Sequence, residues 1–455
     1  MGPDGAGDST MTAALARLET VDAVAAADAR AALEWLVGDS GLASLSRYGI
    51  QQFCWYELPF KWIVEPSVRR EIVIALARFF DLAGLARYAE LCRSDRTMDV
   101  LAAWAEDPSL GFDAYKRAAD DSGVEPPNLP ELTWSSGMGA DEFAAFWSTA
   151  MALEVAIDAG ALVPGTKGWR NERAAIARSH LVQPREELFG ASYLQSVWTA
   201  RLGDWIEGPV GLPSRARAQL LAPVANALLH PVDPPRGVAR PLAPLLWLLD
   251  AVDDGGDGVL LTQNGNLPRS VAQGIVEAFP SWWPAADHDA APSREHDVPR
   301  LVLLHDLARE LKLVRRTGRR LQLTRRGHQL RGDPKALWRV VAEHQAVGST
   351  FAAAVNELVL AALLVEPLTV VAEVVAEAMV VLTESGWHDG ASGAPVPRDA
   401  VIAAVDELAR RATTLGWVRE KGRQWPRRQL RLTETGRATA LAALRARALA
   451  PRTLR

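Results

Sequence analysis

Two stretches near the C-terminus of this 455-residue chain decide its reading: LVRRTGRRLQLTRRG, from Leu313 to Gly327, and WVREKGRQWPRRQLRLTETG, from Trp417 to Gly436. Each runs from an apolar pair through a basic, Gly-containing turn into an alternating segment that closes on Leu-Thr-x-x-Gly. The alternation of Leu321 with Leu323, and of Leu430 with Leu432, has the period of a half-buried strand, so each stretch predicts a β-hairpin with a charged tip. Thr324 and Thr433 stand where a side-chain oxygen can cap the helix that follows. An amphipathic helix precedes each hairpin, in PRLVLLHDLARELKLV (from Pro299) and RDAVIAAVDELARRATTL (from Arg398), so one order of elements occurs twice.

Working outward, the first copy is led by the helical APLLWLLDAV (Ala243 to Val252), a short strand at Val259 to Leu261 and a second helix in LPRSVAQGIVEAF. The second copy is led by FAAAVNELVLAALLV and LTVVAEVVAEAMVVLTESGW. This order resembles the winged-helix family, a variant of the helix-turn-helix. The resemblance implies DNA contact through the third helix and the wing, often in a homodimer. The positions that match those roles are Arg309, Lys312, Arg315, Arg316, Arg319 and Arg320 in the first module. In the second they are Arg410, Arg411, Lys421, Arg423, Trp425, Arg427 and Arg428. The long loop before the first third helix and the absence of a recognisable effector domain depart from a conventional repressor. An LPxKW-type N-terminal helical segment (Leu58 to Trp62) combined with Leu-Thr-x-x-Gly repeats also resembles a group of high-GC bacterial proteins, a likeness that implies no activity.

The residues themselves argue in two directions. Phosphate neutralisation needs only local positive charge, because each contact releases a condensed counterion. Between Arg300 and Arg331 there are ten Lys or Arg and two acids, Asp306 and Glu310, although the whole chain carries a formal charge of −5. The third helices oppose this. With Leu301, Leu304, Ala308 and Leu311 facing the core, the first exposes His305, Asp306, Arg309, Glu310 and Lys312; the second exposes Asp399, Asp406 and Glu407 beside Arg410 and Arg411. A helix that reads base edges usually avoids such acids. Two functions of different class follow: a non-enzymatic tandem winged-helix protein that contacts DNA through basic wings, with a transcription-associated role, or a scaffold in which the same modules bind protein.

The expected fold is mainly α, with a helical N-terminal half followed by tandem winged-helix-like modules with small hairpin wings. Pro-rich stretches at Val124 to Leu132 and His230 to Pro241 place the boundaries, giving helical domains at 1–125 and 135–230 and modules at 240–335 and 348–450. Ala140 to Trp169 reads as a degenerate third copy that lacks a basic wing. The aromatic stretch QQFCWYELPFKW (Gln51 to Trp62) suits either a stacking platform or the filling of a helical core, and the apolar segment after it favours the core.

No apolar run reaches the length needed to span a bilayer, and the acidic N-terminus does not read as a secretory signal, so a cytoplasmic location is expected. Cys54 and Cys92, with no His or Cys beside them, read as reduced core residues. No nucleotide-binding, zinc-protease or serine-hydrolase motif occurs, so nothing points to an enzyme or to a cofactor. His288, His296 and His305 have spacings that match no ligand pattern and read as surface histidines, and no metal is expected. The sequence leaves the oligomeric state open.

Overall fold

A computed structural model describes residues 4–208, 212–253, 256–283, 291–366, 368–390, 392–422 and 427–451. Arg423 and Trp425 at the second hairpin tip, and His288, lie outside them. Among the described residues the chain is mainly helical, with two small antiparallel three-stranded sheets. It divides into two compact units, residues 1–197 (with the last five) and 198–450.

The first unit contains helices α1 (Asp4–Val21), α2 (Ala23–Val37), α3 (Arg47–Gln52), α4 (Leu58–Lys61), α5 (Pro66–Leu82), α6 (Ala86–Arg93), α7 (Asp95–Glu106), α8 (Pro108–Ser122), α9 (Ala140–Asp158) and α10 (Trp169–Val182). The aromatic stretch is chiefly core. A π-helical turn, Phe53–Glu57, joins α3 to α4 and turns Phe53, Cys54 and Trp55 inward. The Trp55 indole donates to Thr97 Oγ1 at 2.9 Å, and the Trp104 indole donates to the Trp55 carbonyl at 2.9 Å, so both polar edges are satisfied inside the bundle. Cys54 and Cys92 are free and buried. No third hairpin forms among the described residues after α9. Leu162 instead packs with Leu153 and Trp169, and that small cluster satisfies the apolar run which resembled a strand.

Helix α11 (Tyr193–Glu207) carries the boundary between the units, and the second unit continues with α12 (Arg215–Leu228). The stretch 135–230, expected as one domain, is thus shared between the units, because Leu221, Val224 and Leu228 of α12 join the core of the second. Next come α13 (Ala239–Asp253), β1 (Val259–Leu260), α14 (Arg269–Ala278), α15 (Pro299–Glu310), β2 (Val314–Thr317), β3 (Arg320–Leu323), α16 (Arg325–Arg331) and α17 (Pro334–His344). The order then repeats: α18 (Phe351–Val365), β4 (Thr369–Val370), α19 (Val371–Glu384), α20 (Arg398–Thr414), β5 (Val418–Lys421), β6 (Gln429–Leu432) and α21 (Glu434–Ala448). The sheets correspond as well, β1-β3-β2 and β4-β6-β5, with the strand between the first two helices pairing onto the far strand of the hairpin.

One hydrophobic core runs through both copies. Trp338 of α17 is fully buried against α21, where its indole donates to Thr439 Oγ1 at 3.0 Å. The two copies therefore share one core.

The repeated Leu-Thr-x-x-Gly motif closes the base of each hairpin. Thr324 Oγ1 accepts the Gly327 amide at 3.0 Å and donates to the Lys312 carbonyl at 2.7 Å; Thr433 Oγ1 accepts the Gly436 amide at 3.0 Å and donates to the Gly416 carbonyl at 3.0 Å. Each Thr therefore caps its following helix and also ties it to the residue that opens the hairpin. The glycines permit the approach. A Cβ on Gly327 would stand 2.1 Å from the Leu313 carbonyl oxygen, and one on Gly436 would stand 1.9 Å from that of Trp417.

Candidate nucleic-acid interface

In the first hairpin, Val314, Leu321 and Leu323 are buried, while Arg315, Arg316, Arg319 and Arg320 are exposed. The strands meet at a two-residue turn, Gly318-Arg319, with Thr317 opposite Arg320 and Arg315 opposite Gln322. The arginines bond main-chain oxygens. Arg316 Nε donates to the Gly318 carbonyl at 2.8 Å, Arg320 to that of Gly258 at 2.9 Å, and Arg319 reaches that of Leu261 at 3.4 Å. A carbonyl orients a guanidinium without cancelling its charge. Among the described residues none of these four, nor Lys312, Arg325 or Arg326, has a carboxylate partner. From Lys312 to Arg326 the sequence holds seven bases and no acid.

Lys312 occupies an unusual backbone position. Helix α15 ends with Leu313 N–H on the Ala308 carbonyl and Lys312 N–H on the Arg309 carbonyl, both at 2.9 Å, the bonding of a Schellman cap. Such a cap needs a left-handed residue, and Lys312 has φ +55°. The second copy ends α20 in the same way, with Trp417 N–H on Ala412 and Gly416 N–H on Thr413, but Gly416 supplies the positive φ of +65°. A side chain there costs on the order of 1 kcal/mol, and a Lys also complements the helix C-terminal dipole.

The second hairpin treats its charge differently. Arg428 is 18% exposed and is held between Asp406 of α20 and Glu420 of β5, the latter at 2.9 Å. Arg410 pairs with Glu407 at 2.7 Å. Arg411 pairs with Glu407 and makes a two-pronged contact to Glu310 of α15, at 2.9 and 2.8 Å. Burial opposes the charge of Glu310, but hydrogen bonds from Arg411 and His344 outweigh it and hold the carboxyl below its ordinary range. The two third helices thus meet near their C-terminal ends. Arg427 and Lys421 remain exposed without an ion-pair partner among the described residues.

Two further arginines belong to this surface and were not singled out in the sequence. Arg419 of β5 lies directly opposite Arg431 of β6, both exposed, on the face turned away from Val418 and Leu430. Like charges in that register cost on the order of 0.5 kcal/mol, and neither has a carboxylate partner among the described residues. The alternation around Leu430 and Leu432 points to Arg431, but its partner depends on the register across the tip.

The third helices present little positive surface. Leu301, Leu304, Ala308 and Leu311 are buried as expected, but so is His305, which was expected on the exposed face. Its Nδ1 lies 2.8 Å from Glu295 Oε1, and the other oxygen of Glu295 accepts the Leu267 amide at 2.7 Å. A buried carboxylate recruits the ring inward, which the helical period alone does not reveal. The outer face of α15 keeps Asp306 and Arg309, 4.0 Å apart.

Elsewhere, one serine–histidine pair bears on catalysis. Ser148 Oγ lies 2.9 Å from His180 Nε2, and an Arg185 guanidinium nitrogen lies 2.8 Å from His180 Nδ1. Because guanidinium can only donate, Nδ1 must accept, and Nε2 therefore carries the ring proton toward Ser148. Burial, and then the Arg185 charge, push the His180 pKa down to about 4. The ring is therefore oriented as a donor to the serine, the wrong polarity for a general base. Among the described residues no group of three or more His, Cys, Asp or Glu could hold a metal ion, and no helix is long and apolar enough to cross a membrane.

The family model described as the Y4jL N-terminal domain matches residues 241–336, which is the first copy of the repeated order from within α13 to the start of α17. No curated protein and no solved structure matches the chain.

Proposed function

We propose that the second unit is a tandem winged-helix pair that contacts DNA, without catalysis, through the phosphate backbone rather than through base edges. The element order and sheet order of each copy support the winged-helix reading. The observation that carries the DNA reading is the first hairpin, where Arg315, Arg316, Arg319 and Arg320 stand exposed, the last three bonded to main-chain carbonyls, with Lys312 at its base. Arg419 and Arg431 extend the same character to the second. The third helices contribute packing, which accounts for their acids and for the pairing of Arg410, Arg411 and Arg428. On this reading the protein is a transcription-associated factor whose binding tolerates many sequences and weakens steeply with salt.

Fluorescence anisotropy with a random-sequence duplex over a salt series tests it. Replacing the four wing arginines by Ala should lower the slope of log K against log salt by about 3 to 4, on all sequences alike. Unchanged binding by this variant would sink the wing assignment. The Arg411 to Glu310 contact favours a second reading, in which the paired modules present a protein-binding surface. Failure of the wild-type protein to bind any duplex at low salt would favour that one.

A further inference from the structure

A hollow of about 430 Å³ opens between α12, the C-terminal end of α18 and one face of α19, wholly within the second unit. Its apolar lining comes from Leu220 and Pro223 on one side and Val365, Val374 and Val380 on the other. Its charged groups are all of one sign. The lining includes three carboxylates, Glu366, Glu373 and Glu377, and no Lys, Arg or His. That is notable in a chain with 44 Arg, where most clustered acids of this unit have found a guanidinium.

Several features show that the carboxylates are left unanswered. None of the three has an ion pair among the described residues, and Glu373 and Glu377 stand four apart on one helix face, a spacing at which like charges repel. Burial, then the charges of Glu366 and Glu373, raise the Glu377 pKa. Neutral acceptors add to them. Pro223 sits inside α12 and has no N–H to give the Gln219 carbonyl one helical turn earlier, and Gln219 also lines the hollow. Thr369 has committed its hydroxyl proton to the Glu366 carbonyl at 2.8 Å.

The walls are fixed before any ligand arrives. Ser214 caps α12 at its N-terminus, and Glu384 of α19 accepts both the Ser214 hydroxyl at 2.6 Å and the Ala216 amide at 3.2 Å. A pocket of this size with apolar walls and a few polar groups among them has the dimensions of a small-molecule site. We propose that it binds a small organic cation with an apolar body, an aryl- or alkylammonium, whose charge sits among Glu366, Glu373 and Glu377 while its hydrocarbon covers Leu220, Val374 and Val380. Thr369 on its wall belongs to β4, which pairs with Leu430 of the second hairpin, so an occupant bears directly on that sheet. The site stands on its own geometry and does not depend on the DNA reading.

Isothermal titration of the full chain with 4-phenylbutylammonium, 4-phenylbutanol and 4-phenylbutyrate tests it, since the three share one body and differ in charge. The cation should bind at least about tenfold more tightly than the alcohol, and the carboxylate should give no measurable heat. The double variant Glu373→Gln, Glu377→Gln changes exposed side chains and should keep the wild-type melting transition. It should bring the cation to the affinity of the alcohol while leaving the alcohol unchanged. Equal affinity for cation and alcohol, no binding of the cation at millimolar concentration, or a double variant that binds the cation as the wild type does would each overturn the proposal. None of these measurements involves nucleic acid, so failure here leaves the DNA reading untouched.

Discussion

The hairpin of the first module holds Arg316, Arg319 and Arg320 against main-chain carbonyls, whereas that of the second holds Arg428 against the carboxylates of Asp406 and Glu420. The bases of the two hairpins are nearly the same: a Schellman cap, a buried strand pair, and a Thr and a Gly that staple the next helix to the first strand. What differs is the counter-charge. Backbone oxygens position a guanidinium and leave its field intact, while carboxylates position it and remove the field. The first module even accepts a strained Lys312 where the second uses Gly416. Arginine content alone therefore says little about a basic surface, and the partner of each guanidinium decides.

The largest effect should fall on what the two modules share. Gly327→Ala and Gly436→Ala each drive a methyl group into a carbonyl oxygen, and each should cost on the order of 3 kcal/mol in denaturant unfolding. Gly332→Ala, whose nearest neighbour would be 3.7 Å away, should be close to neutral. If only one of the two motif variants were destabilised, the idea of a common base would fail.

The second prediction converts one hairpin toward the other. Asp406→Asn with Glu420→Gln frees Arg428 and should raise affinity for a random duplex several-fold at low salt, with the salt slope steepened by about 1. No change in either quantity would show that the second hairpin does not approach nucleic acid, and its arginines would then be structural.

The smallest effect concerns Lys312. Replacing it by Gly removes the left-handed strain and should stabilise the protein by about 1 kcal/mol at most, while weakening duplex binding only a few-fold. A loss of stability would mean that the charge of Lys312 at the end of α15 outweighs its backbone cost.

Much of this architecture could be read from local pattern. The strand period of Leu321 and Leu323, the caps at Thr324 and Thr433, and the core face Leu301, Leu304 and Ala308 depend on residues within a few positions of one another, and sequence displays such relations directly. What remained hidden was tertiary. Arg411 meets Glu310 across 101 residues and Arg428 meets Asp406 across 22, so their charges read as free when they are not. His305 was placed outside by helical period and is drawn inside by Glu295. The apolar run at Leu162 resembled a strand but serves as helix packing, because a short apolar run carries no information about its partner. The carboxylates of α19 carry no local signal, since only the approach of α12 turns them into the rim of a hollow.

The stapled hairpin base leaves the length of the loop beyond it unconstrained. One turn is made with Gly318 and Arg319 alone, while the strands of the other are separated by residues 422–428, yet both are sealed beneath by the same threonine and glycine. A frame that accepts both lengths works as a socket: exchanging the two tips, or grafting a foreign recognition loop between β2 and β3, should alter what the surface touches without disturbing how the unit folds.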